Sequence, residues 1–232
     1  MEKLSLSQKE WQILIGGLLG DSYFNKKKNL VRFSHSDKQF EYLSWKYENL
    51  NQDYTRGMYP RIYKEGYKNH SFDFVNKGNA LLNEFNFIKK HLYSNDGRKK
   101  ISIKILNELN PIGLAVWWMD DGYLCTHKGN RYGRLCTESF NYEEHILIQK
   151  YFKEKWDIDV GIRSEENKYY FIRFNVKALK KLIRIIYKYV AEVPSMIYKI
   201  DLNYVNQRCI GDFSDVYFYI KEHKSNILPE AL

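Results

Sequence analysis

Two aspartates, Asp21 and Asp121, stand 100 positions apart, each closing an apolar run: WQILIGGLLGD in one case and IGLAVWWMDDG in the other. Lys100 follows the first by 79 residues and Lys199 the second by 78, with Lys99 as an adjacent competitor for the first position. Carboxylates hold hard divalent cations, and ammonium groups stabilise charge building up on a phosphate, so these residue types suit metal-assisted phosphodiester hydrolysis. Taken singly, an aspartate ending a buried helix caps it or pairs with a lysine. The repetition of the whole arrangement is what favours chemistry over capping.

That repetition extends to the elements. One helix is predicted from Ser7, where Ser-Gln-Lys-Glu forms a capping box, to Asp21. A second is predicted from Asn110, with Pro111 in the first helical position, to Gly122. Both are apolar almost all round, which places them in the interior. Gly16 and Gly20 lie four apart and would let another helix backbone approach closely, with Gly113 and Ala115 as small counterparts. Residues 22–36, 61–76, 123–137 and 158–175 are short runs broken by the turn signals NKKKN, KEGYKN, HKGNRYG and SEENK, and they read as hairpins. Helical segments at 37–50 and 141–156 separate the hairpins, and others at 78–93 and 176–191 follow them. The fold class is therefore α+β, as two pseudo-symmetric repeats over 1–105 and 106–202, with 203–232 as a C-terminal extension outside the repeat.

Composition narrows the partner. With 37 Lys and Arg against 28 Asp and Glu, the net charge of +9 favours a polyanion, nucleic acid first. The longest strongly apolar run, residues 13–20, is too short to span lipid, and no signal peptide is evident, so a soluble intracellular protein without a membrane partner is expected; organelle and cytoplasm are not distinguished. Cys125, Cys136 and Cys209 are odd in number and widely spread, which does not suggest a disulfide framework. Cys125, His127 and Cys136 match no closed zinc spacing and read as hairpin residues.

GGLLGD at 16–21 and GLAVWWMDDG at 113–122 resemble the two degenerate motifs of single-chain LAGLIDADG homing endonucleases, and the similarity covers roughly residues 8–202. The resemblance implies two αββαββα repeats whose motif helices pack together at the centre, with antiparallel sheets forming a DNA-binding saddle. It implies a monomer that cuts both strands of a long asymmetric double-stranded DNA target, one phosphodiester on each, leaving a staggered break. It assigns Asp21 and Asp121 to Mg²⁺, with Mn²⁺ able to substitute, and brings Gly20 and Asp120 to the same metal sites, Asp120 more as a supporting group. Lys100 and Lys199 fall where such proteins carry basic active-site lysines. Leu19 and Ser22 depart from the family pattern at its sixth and ninth positions.

A two-stranded ribbon fits the major groove, so base readers are expected on the hairpins: Arg32, His35, Arg61 and Tyr63 in the first repeat, and Arg131, Arg134, Arg163 and Arg173 in the second. Strand alternation turns about half of such residues away from the DNA. Lys26, Lys27 and Lys28 lie in a turn and suit phosphates, which add affinity without sequence information. The alternative is a protein of the same fold that has stopped cutting and acts as an intron RNA maturase or DNA-binding regulator. An unrelated basic RNA-binding protein would instead lack a central helix pair. No protein-splicing segments flank the core, so an intein-embedded form is not expected.

Overall fold

Helix α1 (Gln8–Leu19) starts where the sequence places its cap: the Ser7 hydroxyl accepts the Glu10 N–H, and the Glu10 carboxylate accepts the Ser7 N–H at 2.8 Å. The computed structural model describes residues 5–62, 68–125, 132–166, 168–201, 216, 218–220 and 222. After α1 come β1 (Tyr23–Asn25), β2 (Leu30–Ser36), α2 (Phe40–Glu48), β3 (Tyr59–Ile62), β4 (Lys68–Val75) and α3 (Leu82–Leu92). A short α4 (Ile103–Glu108), which the sequence reading does not anticipate, leads to α5 (Pro111–Asp121). Then follow β5 (Gly122–Cys125), β6 (Tyr132–Leu135), α6 (Tyr142–Trp156), β7 (Gly161–Glu165), β8 (Tyr169–Phe174) and α7 (Val176–Val190). The order αββαββα thus occurs twice. Tyr63, Arg131 and His127 lie outside the described residues, as does most of 203–232.

The chain forms two compact units, Met1–Asp120 and Asp121–Leu232. In the first, an antiparallel sheet has the order β1-β2-β4-β3; in the second, the order β5-β6-β8-β7 repeats that topology. Each sheet buries one face under helices. In the first unit Phe33, His35 and Phe72 lie against α2. In the second, Phe174 meets Phe152 of α6 edge-on, and α7 turns Leu179, Leu182, Ile183 and Ile186 inward. Among the described residues, no helix is long and apolar enough to cross a membrane.

Within the first unit α1 and α5 cross at their small residues. A methyl on Gly16 would sit 2.5 Å from the Gly113 carbonyl oxygen and 2.9 Å from Val116 Cβ. One on Gly113 would meet Gln12 Oε1 at 2.4 Å. Ala115, the other small residue expected at the crossing, is not the neighbour that either glycine meets. Gln12 is buried and ties the start of α5 to the end of α4, donating to the Glu108 carbonyl at 2.9 Å and accepting the Asn110 N–H at 2.7 Å. Asn110 in turn caps α5 by accepting the Ile112 and Gly113 N–H groups. This buried helix pair rules out the reading in which the repeat is accidental.

Gly16→Val is expected to lower stability by about 1–3 kcal/mol through overpacking. Gly57→Ala, where an added Cβ meets nothing within 4 Å, should leave the urea midpoint close to that of the parent protein. Equal midpoints for the two variants would contradict the tight crossing.

Candidate active site

The first motif ends by fitting one residue over another. A Cβ on Gly20 would lie 2.5 Å from Asp120 Cβ, so glycine at position 20 is what admits the Asp120 side chain. Asp120 Oδ2 then accepts the backbone N–H of Asp21 at 3.2 Å, and Oδ1 accepts from Lys46 Nζ at 2.7 Å, with both side chains wholly buried. The Lys46 ammonium also reaches His35 Nε2 at 3.0 Å and the face of Tyr42, 4.2 Å from its centroid. A buried ion pair survives only when its remaining donors and acceptors are satisfied, and these contacts supply that condition. Outside this buried group, the Asp21 side chain is 45% exposed, with its Oδ2 3.8 Å from His35 Nδ1.

Ligand atoms of Asp21, His35 and Asp120 all lie within 4.8 Å of one another. The Lys46 ammonium, itself a cation, touches both Asp120 Oδ1 and His35 Nε2, which lie 3.8 Å apart. Asp120 gives its carboxylate to Lys46 and to the Asp21 backbone. One expectation is corrected here. His35, expected to read bases, is only 4% exposed and faces the helices. The group that reaches outward, the Asp21 carboxylate, is an oxygen donor and suits a hard divalent cation.

The lysines require a further correction. Lys99 Nζ donates to the Gly20 carbonyl at 2.7 Å, whereas the Lys100 backbone N–H bonds to the Leu92 carbonyl. Lys99 bridges Tyr93 in extended backbone, where consecutive side chains point to opposite sides, so Lys99 and Lys100 cannot both face Gly20. The signal was present in the sequence: Lys99 follows Asp21 by 78 residues, the same interval as from Asp121 to Lys199. In the second unit Lys199 is buried, on the 3₁₀ segment Pro194–Lys199, and donates to the Gly122 carbonyl at 2.7 Å. Each unit therefore holds a lysine on a carbonyl next to its motif aspartate, before it in the first unit and after it in the second.

Around Asp121 the environment differs. Its carbonyl accepts the Cys136 N–H at 3.0 Å. Burial pushes the Cys136 thiol up to about 11, and the carboxylates of Glu138 and Asp121 push the same way, so this sulfur stays a thiol and not a nucleophilic thiolate.

The other expected readers fall on the sheet faces away from the helices. Directly paired residues share a face. The pairs Arg32↔Asp73, Ser34↔Ser71 and Arg61↔Asn69 put Arg32 and Arg61 together on the first sheet. The pairs Arg134↔Arg173 and Arg163↔Phe171 do the same for three arginines on the second. These side chains are braced. Arg32 makes a two-pronged pair with Asp73, at 2.7 and 3.0 Å. Arg134 pairs with Glu138 and Glu165 and stacks on Phe171. Burial works against the Arg134 charge, but its two carboxylate partners outweigh burial and raise its pKa above the ordinary guanidinium value. Lys26, Lys27 and Lys28 are exposed in the β1–β2 turn, with Lys26 also donating to the Ser94 carbonyl.

Lys46→Met would leave Asp120 as a buried carboxylate beside an imidazole, at an expected cost of about 3–5 kcal/mol. Adding Asp120→Asn should recover part of that loss in a urea-denaturation double-mutant cycle; strictly additive losses would contradict the coupling.

The model of the LAGLIDADG DNA endonuclease family matches residues 11–182. A protein named Protein RecA from Mycobacterium shimoidei is 30% identical over 84% of this chain and 47% of its own length. The cytochrome b mRNA maturase bI2 of Saccharomyces cerevisiae is 27% identical over 81% of this chain and 46% of its own. The chain thus spans about half the length of these curated relatives. In fold it is similar to the homing endonuclease I-WcaI, whose structure was solved bound to its DNA recognition sequence: the TM-score is 0.67 at 24% identity, covering 86% of this chain and 88% of that one. With the family model spanning both motifs and both sheets, the chain belongs to the LAGLIDADG DNA endonuclease family.

Proposed function

We propose that the protein is a site-specific double-strand DNA endonuclease that acts as a monomer and hydrolyses one phosphodiester on each strand of a long asymmetric site, leaving a staggered break. The observation that carries this reading is the lysine held on a carbonyl beside the motif aspartate in each unit: Lys99 at Gly20 and Lys199 at Gly122.

In this reading Asp21 and Asp121 hold Mg²⁺, or Mn²⁺ in its place, and the Gly20 carbonyl supports the first site. A bound divalent cation supplies Lewis acidity toward the phosphate and an ionised water. The residues do the positioning. Asp120 fixes the Asp21 backbone N–H, which sets where the exposed carboxylate points. The ammonium groups of Lys99 and Lys199, each oriented by one carbonyl, face the negative charge that grows on the scissile phosphate. Arg32 and Arg61 on one sheet, and Arg134, Arg163 and Arg173 on the other, meet base edges or phosphates. The two faces differ in composition, the first mixing Arg with Ser, Asn and Asp and the second richer in Arg, which suits unlike half-sites and an asymmetric target. Exposed Lys26, Lys27 and Lys28 contact phosphates and contribute salt dependence.

The test is Mg²⁺-dependent cleavage of a randomised double-stranded DNA library with the ends sequenced. Staggered ends around one long sequence are expected, abolished by EDTA and by Asp21→Asn with Asp121→Asn. Lys99→Met should slow cleavage by about 100-fold or more and Lys100→Met by less than about threefold, since only Lys99 sits at the acidic centre. The similarity to a curated mRNA maturase supports one second reading, an intron RNA maturase that has stopped cutting DNA. A folded protein that yields no enriched ends yet promotes splicing of an intron RNA would establish that reading in place of the first.

A further inference from the structure

The equivalence of the two sheets identifies which groups around Asp21 have no counterpart around Asp121. Tyr23 pairs with Arg32 in the first unit and Tyr123 with Arg134 in the second. Counting along from these pairs, His35 corresponds to Thr137, Phe40 to Tyr142 and Lys46 to Ile148. The ring contacts agree: Phe40 meets His70 at 4.6 Å, and Tyr142 meets Tyr170 at 5.2 Å. Asp120, at the end of the second motif, corresponds to Gly20 in the first. The chain Asp120–Lys46–His35 therefore belongs to the first unit only. At the matching place in the second unit, the Thr137 hydroxyl meets His145 Nε2 at 2.9 Å, and His145 Nδ1 closes on the Asn141 carbonyl at 2.6 Å.

The chemistry of the first-unit chain fixes a proton. An ammonium has only donors, so His35 Nε2, 3.0 Å from Lys46 Nζ, is the acceptor and the ring hydrogen is on Nδ1. That nitrogen lies 3.2 Å from Gln39 Oε1, an acceptor, and 3.8 Å from Asp21 Oδ2. The imidazole N–H is therefore donated to Gln39, and the Asp21 carboxylate lies beside it, beyond hydrogen-bond reach. We propose that Lys46 is a positioning residue for the Asp21 centre alone: its buried ammonium fixes His35 as the Nδ1–H tautomer bound to Gln39, which sets the positive edge of the ring 3.8 Å from the Asp21 carboxylate, and it secures the Asp120 carboxylate that accepts the Asp21 backbone N–H. This rests on the nuclease reading for its effect on cleavage, but not for the tautomer.

Two measurements on the full chain test it. In ¹⁵N NMR of the histidine-labelled wild type, with His35 assigned by its loss in His35→Gln, Nδ1 should carry the proton and Nε2 should be the acceptor. An Nε2–H form would overturn the proposal without any variant of Lys46 having to fold. The second measurement follows each strand of a cleaved duplex separately, with Asp21→Asn identifying the strand that the Asp21 centre cuts. Lys46→Arg and His35→Gln should slow that strand by about tenfold or more, in the range seen for groups that orient metal ligands, and spare the other. Equal slowing of both strands, or of neither, would overturn the proposal. If the wild type cuts no DNA at all, the nuclease reading fails, while the tautomer still decides whether Lys46 orients His35.

Discussion

At the crossing of α1 and α5 the backbone at Gly16 lies so near the Gly113 carbonyl that a single methyl would overlap it. This contact brings the C-terminal ends of two apolar helices together, and the acidic site depends on it. One turn further along, Gly20 leaves the room that Asp120 fills, and Asp120 reaches the Asp21 backbone because of it. Close helix contact is thus what lets a residue of the second motif organise the first aspartate.

Burying Asp120 has a consequence of its own. A carboxylate with no solvent access costs several kcal/mol to desolvate unless charge and hydrogen bonds compensate. Lys46 from α2 compensates, and its remaining donors are taken by His35 Nε2 and the Tyr42 ring. A three-ligand metal cluster by distance alone therefore becomes an internal ion pair with one exposed carboxylate at its edge. Exposure separates the two aspartates: the Asp120 side chain is sealed, whereas that of Asp21 is 45% exposed.

Much of this was legible in the sequence. Caps at Ser7 and Asn110, the turn signals and the doubled apolar runs specify the helices and hairpins, because each acts through local chemistry. Asp21 and Asp121 were visible by their repetition. Side-chain direction was less accessible. His35 follows Arg32 on β2 by an odd number of residues, so it faces the helices where Arg32 faces outward, and only the strand's register reveals which. Lys99 and Lys100 raise the same problem in one extended segment, although the equal 78-residue intervals favour Lys99. Lys46 carried no signal, since a lysine in an amphipathic helix reads as solvent-facing until its buried partner is known. The short helix α4 has too few residues to show a period.

The central claim is that Asp21 and Asp121, and not the buried Asp120–His35 pair, meet the divalent cation. Paramagnetic broadening by Mn²⁺, followed by backbone NMR with a DNA duplex present, tests it most directly. The account predicts broadening that begins at Gly20–Ser22 and at Asp121–Gly122, is relieved at each place by the corresponding Asp→Asn change, and is competed by Mg²⁺. Broadening that survives Asp21→Asn and Asp121→Asn but vanishes with Asp120→Asn would contradict it.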